Sequence, residues 1–441
     1  MRKILILFSL IISSITFAQE TKTEFSLQEA IDYALENNRQ AKNATLNIDA
    51  AKAQQWETIA TGLPQLGATI DYINNIKQQF QEPVDFDNNG FIDFGAKQSI
   101  NASATINQLI FDGSYLVGLQ ASKVFLEISK NSKEKTDLDI RKGVINAYGN
   151  VLLTKESISI LEKNISILEK NLSDTTKIFE NGLEEEESVE QLKITLSGVK
   201  SNLNNVIRLK SVGNKMLNIA IGKDINDPIT TTDSLDSLAE QNITLNLLEA
   251  TDDVKNTIDF KIADNDKRSK ELLVKLEKSK ALPTIGAFIN GGYLGNSQKF
   301  TFLNNNQQWV GTANFGARIT IPIFGVGLQS ARTQRAKINL NIAENNLKET
   351  EQQLKLQIAA AKSEYQFAIE EYDNKKDNLA LAERIEKKNQ TKFFEGIGSS
   401  FELRQAQTQL YSAQNELLQT MLDVINKKAA LETVLNNIPT K

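Results

Sequence analysis

The sequence predicts a mainly α-helical fold with a smaller β component, built from two copies of one plan. Three observations carry this. Proline, which breaks the interior hydrogen bonding of a helix, occurs only six times in 441 residues and leaves long helical patterns uninterrupted. Four segments alternate apolar and polar residues with the period of a strand, and they fall into two pairs. The stretch from Ile178, "IFENGLEEEESVEQLKITL", has a partner from Phe393, "FFEGIGSSFELRQAQTQL", at a constant offset of 396 − 182 = 214 residues. That offset puts Gly182 on Gly396, Val189 on Leu403, Gln191 on Gln405 and Leu196 on Leu410.

The chain opens with Arg2 and Lys3, then the apolar run "ILILFSLIISSI", then small residues at Thr16 and Ala18. This is the layout of a secretory signal peptide, so residues 1–18 are read as cleaved after Ala18. Cleavage removes two positive charges and no negative ones, which moves the net charge from −5 to −5 − 2 = −7. An acidic surface excludes nucleic acid as a partner. With no cysteine there is neither a disulfide framework nor a cysteine-linked lipid anchor. With no histidine, the commonest general base and metal ligand are missing too. No compact catalytic motif replaces them, so no catalytic residue, resident metal or cofactor is assigned, and a carboxylate-only enzyme is a distant alternative.

The first helix begins at "FSLQEAIDYALENN", where Ser26 and Glu29 have the spacing of a capping box. The longest helical patterns run from about Ser114 to Phe179 and from about Leu328 to Phe394, each about 100 Å long at 1.5 Å per residue. Within the first, the tandem heptad "ISILEKNISILEKN" places Ile158, Leu161, Ile165, Leu168 and Leu172 on one seam, and Ile160 and Ile167 widen it. The second keeps the rhythm with Leu354, Ile358, Ala361, Tyr365, Ala368 and Tyr372. These segments alone would suit a dimeric coiled coil.

The alternating segments argue otherwise. In "WVGTANFGARITIPIF", Trp309, Ala313, Phe315, Ala317, Ile319, Ile321 and Ile323 share a face, opposite Thr312, Asn314, Arg318 and Thr320. "SINASATINQLIF" sets Ile100, Ala102, Ala104 and Ile106 against Asn101, Ser103, Thr105 and Asn107, and "LGATIDY" and "TIGAFINGGY" add two similar runs. Each is near the roughly 9 to 11 residues of a tilted membrane strand. Taken alone, they equally suit soluble hairpins packed on helices. If they do meet lipid, an open edge is not allowed there, and four strands cannot close a barrel, so they must close with copies of themselves.

Between the first two strands, "DFDNNGFIDFGA" puts Asp85, Asp87, Asn89, Gly90 and Asp93 at the spacing of a calcium loop. Ala96 stands where the bidentate glutamate belongs, and the flanks are strands, so a polar hairpin loop with an Asn-Gly turn is the better reading.

In their order and duplication, "SLQEAIDYALENN", "LPQLGATIDY", "QLIFDGSYLVGLQASK", "IPIFGVGLQSARTQRAK" and "AQTQLYSAQNELL" resemble the TolC family of outer-membrane efflux and secretion channels. The resemblance implies a homotrimer whose twelve strands form a barrel in outer-membrane lipid, continued across the periplasm by a long α-helical barrel. It implies an internal repeat in which Leu63-Pro64 matches Leu282-Pro283 and Lys123 matches Lys337. Residues 19–222 would form the first copy, with a hairpin over about 65–111. Residues 223–250 would be an equatorial piece and 251–441 the second copy, with a hairpin over about 284–323. Trp309, Phe315, Ile319 and Ile321 would then face lipid. Gly182 with Leu183, and Gly396 with Ile397, would form the periplasmic turns that dock an adaptor, or membrane fusion protein, linked to an inner-membrane pump. Similar channels place two gating carboxylates just after the second turn, at positions that correspond here to Glu402 and Gln405, so one acid is missing. The family's bridging arginine and tyrosine correspond to Gly398 and Phe393, and the run Glu184 to Glu187 is a possible substitute charge. A secreted coiled-coil protein with soluble hairpins is the competing reading.

Overall fold

The computed structural model of the chain describes residues 22–77, 96–249, 253–323 and 326–436. The signal peptide assigned to residues 1–18 and the acidic loop bearing Asp85, Asp87, Asn89 and Asp93 lie outside the described residues. In chain order the elements are β1 (Glu24–Phe25), α1 (Leu27–Asn37), α2 (Arg39–Ala60), β2 (Gln65–Asn74), β3 (Gln98–Phe111), α3 (Gly113–Glu180) and α4 (Glu186–Ile221). They continue with β4 (Thr230–Thr231), α5 (Leu235–Gln241), α6 (Ile258–Ser279), β5 (Thr284–Ser297), β6 (Trp309–Thr320), α7 (Val326–Phe394) and α8 (Ser400–Leu435). Two single turns of 3-10 helix, Leu245–Leu247 and Val254–Asn256, lie between α5 and α6. None of the described helices is long and apolar enough to cross a membrane.

The chain forms two compact units, and each draws on both halves of the sequence. The first comprises the residues up to Asn43, Glu134–Thr257, and those from Leu354 onward. Its core gathers Val144, Tyr148, Leu152, Leu217, Ile221, Tyr365, Tyr372, Ile425 and Leu431. The Tyr148 hydroxyl lies 2.9 Å from the Phe25 carbonyl and 2.8 Å from Asp233 Oδ2, which also accepts from the Leu27 amide at 2.7 Å. Burial, then the Asp233 carboxylate, pushes the Tyr148 phenol up, so it stays a neutral donor that ties β1 to the segment after β4. The Ser26–Glu29 capping box opens α1 as its sequence spacing predicts. Gly222 ends α4 at φ +90°, and a Cβ there would lie 2.5 Å from the Asn37 carbonyl oxygen, so only glycine fits.

The heptad seam of α3 is filled within the chain. Ile165 and Leu168 pack with Leu192 and Leu196 of α4, with Leu172, Val199, Leu203 and Tyr411 around them. A helix hairpin thus takes the apolar stripe that would otherwise suit a dimeric coiled coil.

The second unit comprises Ala44–Lys133 and Ile258–Gln353. It holds a four-stranded antiparallel sheet in the order β2-β3-β5-β6, with α6 and parts of α2, α3 and α7. Thr105 pairs with Gly67 on one side and Asn290 on the other, and Asn290 pairs with Asn314, which fixes the faces of all four strands. Two predicted strand residues, Ile321 and Ile323, fall outside. β6 ends at Thr320, so Ile321 lies beyond the strand, because Pro322 follows it and has no N–H to give to a ladder.

Candidate functional site

Residues paired across antiparallel strands point to the same side. The register therefore puts Leu66, Ala68 and Ile70 of β2, Ala104 and Ile106 of β3, Ile289 of β5, and Ala313, Phe315, Ala317 and Ile319 of β6 on one face. The other face carries Gln65, Thr69, Ser103, Thr105, Asn107, Asn290, Asn314, Arg318 and Thr320. Of the strand residues predicted to meet lipid, Phe315 is 87% exposed, and Trp309 and Ile319 are also exposed. In a soluble hairpin the apolar face would be the buried one.

The polar face is organised by side-chain bonds. Asn290 Nδ2 donates to Thr105 Oγ1 at 2.6 Å, Thr69 and Ser103 hydroxyls lie 3.2 Å apart, and the Arg318 guanidinium sits 5.9 Å from the Phe288 ring centroid. An open recess of about 700 Å3 is lined by Gln65, Thr105, Asn107, Asn290, Asn314 and Arg318, among others. Among the described residues the outer strands β2 and β6 each have one strand partner, so two rows of backbone donors and acceptors are left for another strand.

At the end of the sheet near the β5–β6 loop, Tyr72, Phe300, Phe302 and Trp309 form an aromatic cluster. Phe300 and Phe302 meet edge to face with centroids 5.6 Å apart, Tyr72 lies 5.9 Å from Phe300, and Trp309 lies 6.3 Å from Phe302. Sequence reasoning missed this group, since Phe300 and Phe302 lie in a loop that no periodicity marks. The signal was compositional: aromatic residues beside the end of an alternating strand.

The two glycine turns have the same backbone. Gly182 and Gly396 have φ of +77° and +73°, conformations that side chains penalise. In the first, the Leu183 amide donates to the Ile178 carbonyl and the Gly182 amide to that of Phe179; in the second, Ile397 donates to Lys392 and Gly396 to Phe393. Both are Schellman closures of a long helix. Each is followed by an aliphatic residue that faces away from the protein, Leu183 at 78% exposed and Ile397 at 72%. The turns lie together in the first unit, where Ser188 and Leu192 of α4, Phe393 of α7, and Ser400 and Leu403 of α8 line one small cleft.

Glu402 and Gln405 are both exposed and lie one helical turn apart on α8. Glu402 also has a structural task. Its amide donates to Ser399 Oγ at 3.2 Å and its carboxylate accepts from the Ser399 amide at 3.4 Å, which is a capping box. At the first turn, the Ser188 hydroxyl donates to Glu184 Oε1 at 2.6 Å and Gln191 Nε2 to Glu187 Oε1 at 2.6 Å, so two of the four glutamates are engaged locally. Phe393 is buried edge to face with Phe394, and a Cβ on Gly398 would lie 2.9 Å from Lys392 Cβ. The two positions of the family's bridging pair therefore offer no exposed polar group.

Behind the turns lies a polar layer that the sequence does not advertise. Asn171 and Thr175 of α3 and Gln407 of α8 are buried, and Gln390 Nε2 of α7 donates to Asn171 Oδ1 at 3.2 Å. Thr175 Oγ1 is buried without a hydrogen-bond partner among the described residues. Burial pushes the Glu386 carboxyl up against the opposing pull of the Gln407 amide, and burial followed by Glu386 pushes the Tyr411 phenol up.

The outer membrane efflux protein family matches this chain over residues 30–210 and 256–437. The toluene efflux pump outer membrane protein TtgC of Pseudomonas putida is 22% identical over 418 residues, covering 93% of this chain and 82% of TtgC. The fold is that of the channel protein CusC, with a TM-score of 0.76 and 19% identity over 93% of this chain and 92% of CusC. It is also that of the outer membrane protein VceC of Vibrio cholerae, with a TM-score of 0.73 and 16% identity over 93% of this chain and 95% of VceC. With 181 and 182 residues matched in two blocks, on either side of the segment read as equatorial, the chain belongs to the outer membrane efflux protein family.

Proposed function

We propose that the chain is the outer-membrane exit duct of a tripartite efflux or type I secretion system, passive in itself and coupled to an inner-membrane pump by a periplasmic adaptor. The observation that carries this is the sheet: an apolar face and a polar face, neither buried by the described residues, between two strand edges that lack outer partners among them. In lipid, the unpaired edges must close with other copies. Two copies would give eight strands, whose interior side chains fill, so three copies and twelve strands are the smallest ring with an open lumen. Asn290, Asn314 and Arg318 would line that lumen, and Phe315 and Ile319 would face the hydrocarbon. Exposed Leu183 and Ile397 support the reading of the glycine turns as the adaptor-docking tip. The exposure of Glu402 and Gln405 just inside that tip supports their reading as the constriction. Matching Schellman turns and helices of 68 and 36 residues against 69 and 36 support the internal repeat.

Membrane fractionation tests the reading. The duct predicts a heat-modifiable trimer in outer membranes; a soluble elongated dimer contradicts it and would favour a secreted structural protein.

A further inference from the structure

We propose that the recess between the end of α6 and the start of α7 binds the phosphate headgroup of an anionic phospholipid in the periplasmic leaflet of the outer membrane. The inference rests on the reading of the sheet as barrel wall. The recess has an open volume of about 540 Å3; Lys278, Lys280 and Lys337 supply its charge, and Pro322, Ile323 and Leu328 an apolar wall.

Three features select this ligand. The first is charge. Lys280 is paired with Glu277 at 2.7 Å, and Arg332 also bears on that carboxylate. No ion pair engages Lys278 or Lys337 among the described residues, so the recess keeps an excess of cations. The second is position. α6 leads into β5 and β6 leads into α7, so the recess lies where strands give way to helices, the level at which a periplasmic-leaflet headgroup would sit. The third is its side of the wall. Ile323, just past the end of β6, is 86% exposed, and the recess on the polar face, lined by Thr284, Arg318 and Thr320, shares no residue with this one. A cationic rim beside an exposed aliphatic wall fits a headgroup whose acyl chains continue along the apolar face; a free anion would leave that wall unused.

Native mass spectrometry of the intact oligomer in detergent, titrated separately with phosphatidylglycerol and phosphatidylcholine, tests the proposal. Wild type should retain phosphatidylglycerol in preference, and Lys278→Gln with Lys337→Gln should weaken that retention about fivefold per lysine while leaving phosphatidylcholine unchanged. The double Lys→Arg variant should keep the preference, which separates loss of charge from loss of fold. Equal retention of the two lipids by wild type, or undiminished retention by the Gln variant, overturns the site. Failure of wild type to enter outer membranes would instead overturn the barrel reading beneath it.

Discussion

Phe315 and Asn314 are adjacent in the chain and opposite in environment: the first stands exposed on the apolar face, the second beside Asn290 on the polar one. An arginine at Phe315 near the bilayer midplane should therefore cost about 2 to 4 kcal/mol, read as loss of assembled protein and a lower unfolding midpoint in bilayers. Asn314→Arg, on the polar face proposed to line the lumen, should assemble normally. That contrast was legible in the sequence, because a period of two assigns each residue a side without knowledge of its neighbours. Ile321 was misread by the same rule, since periodicity continues through a strand end that a following proline imposes. At the tip, Glu402 carries both a charge and a helix cap. Glu402→Ala removes both, whereas Glu402→Gln keeps a capping-box partner at that position and removes only the charge. We predict that Glu402→Gln leaves thermal stability within about 0.5 kcal/mol yet weakens cation selectivity in planar bilayers, and that Gln405→Asp strengthens it.

The two long hairpins depend on elements that close and pack in different ways. Nothing lies within 4 Å of a Cβ built on Gly182 or Gly396, so replacing either by valine should cost only the left-handed backbone penalty, about 1 to 2 kcal/mol each. Oligomers should survive in the membrane while export falls, because Leu183 and Ile397 are re-aimed; normal export with both replaced would remove the docking role. The polar layer behind the turns gives a pH signature. The folded-state pKa of Glu386 is raised, so its stabilising contribution is complete below the ordinary carboxylate pKa and is lost as pH rises through the folded value. Glu386→Gln should therefore raise the unfolding temperature at pH 7.5, with the gain shrinking toward pH 4; a gain independent of pH would assign it to packing alone. The turns were legible because glycine marks a backbone need. The polar layer was not, because the burial of Asn171, Gln407 and Glu386 is decided by three helices meeting, and each of these residues is an ordinary surface residue in its own helix.

At the scale of the whole molecule, the proposed duct needs more strands than one chain's sheet supplies. Among the described residues its four strands have two edges without a strand partner and its sheet has two exposed faces of opposite character, which is why we propose that other copies complete it. The four strands and their two faces were legible in the alternation. The aromatic cluster of Tyr72, Phe300, Phe302 and Trp309 was not, because it brings Tyr72 of β2 against β6 and a loop more than 200 residues away. The absence of cysteine from the native sequence makes closure directly measurable. Single cysteines are placed at Ala68 on β2 and, in a series, at Gly311, Ala313 and Ala317 on β6, and each pair is oxidised in intact outer membranes. For the pair that falls in register, closure through β2 of one copy and β6 of the next predicts a covalent product that ends at three chains. Monomers throughout the series, or a ladder that passes beyond three, would contradict it.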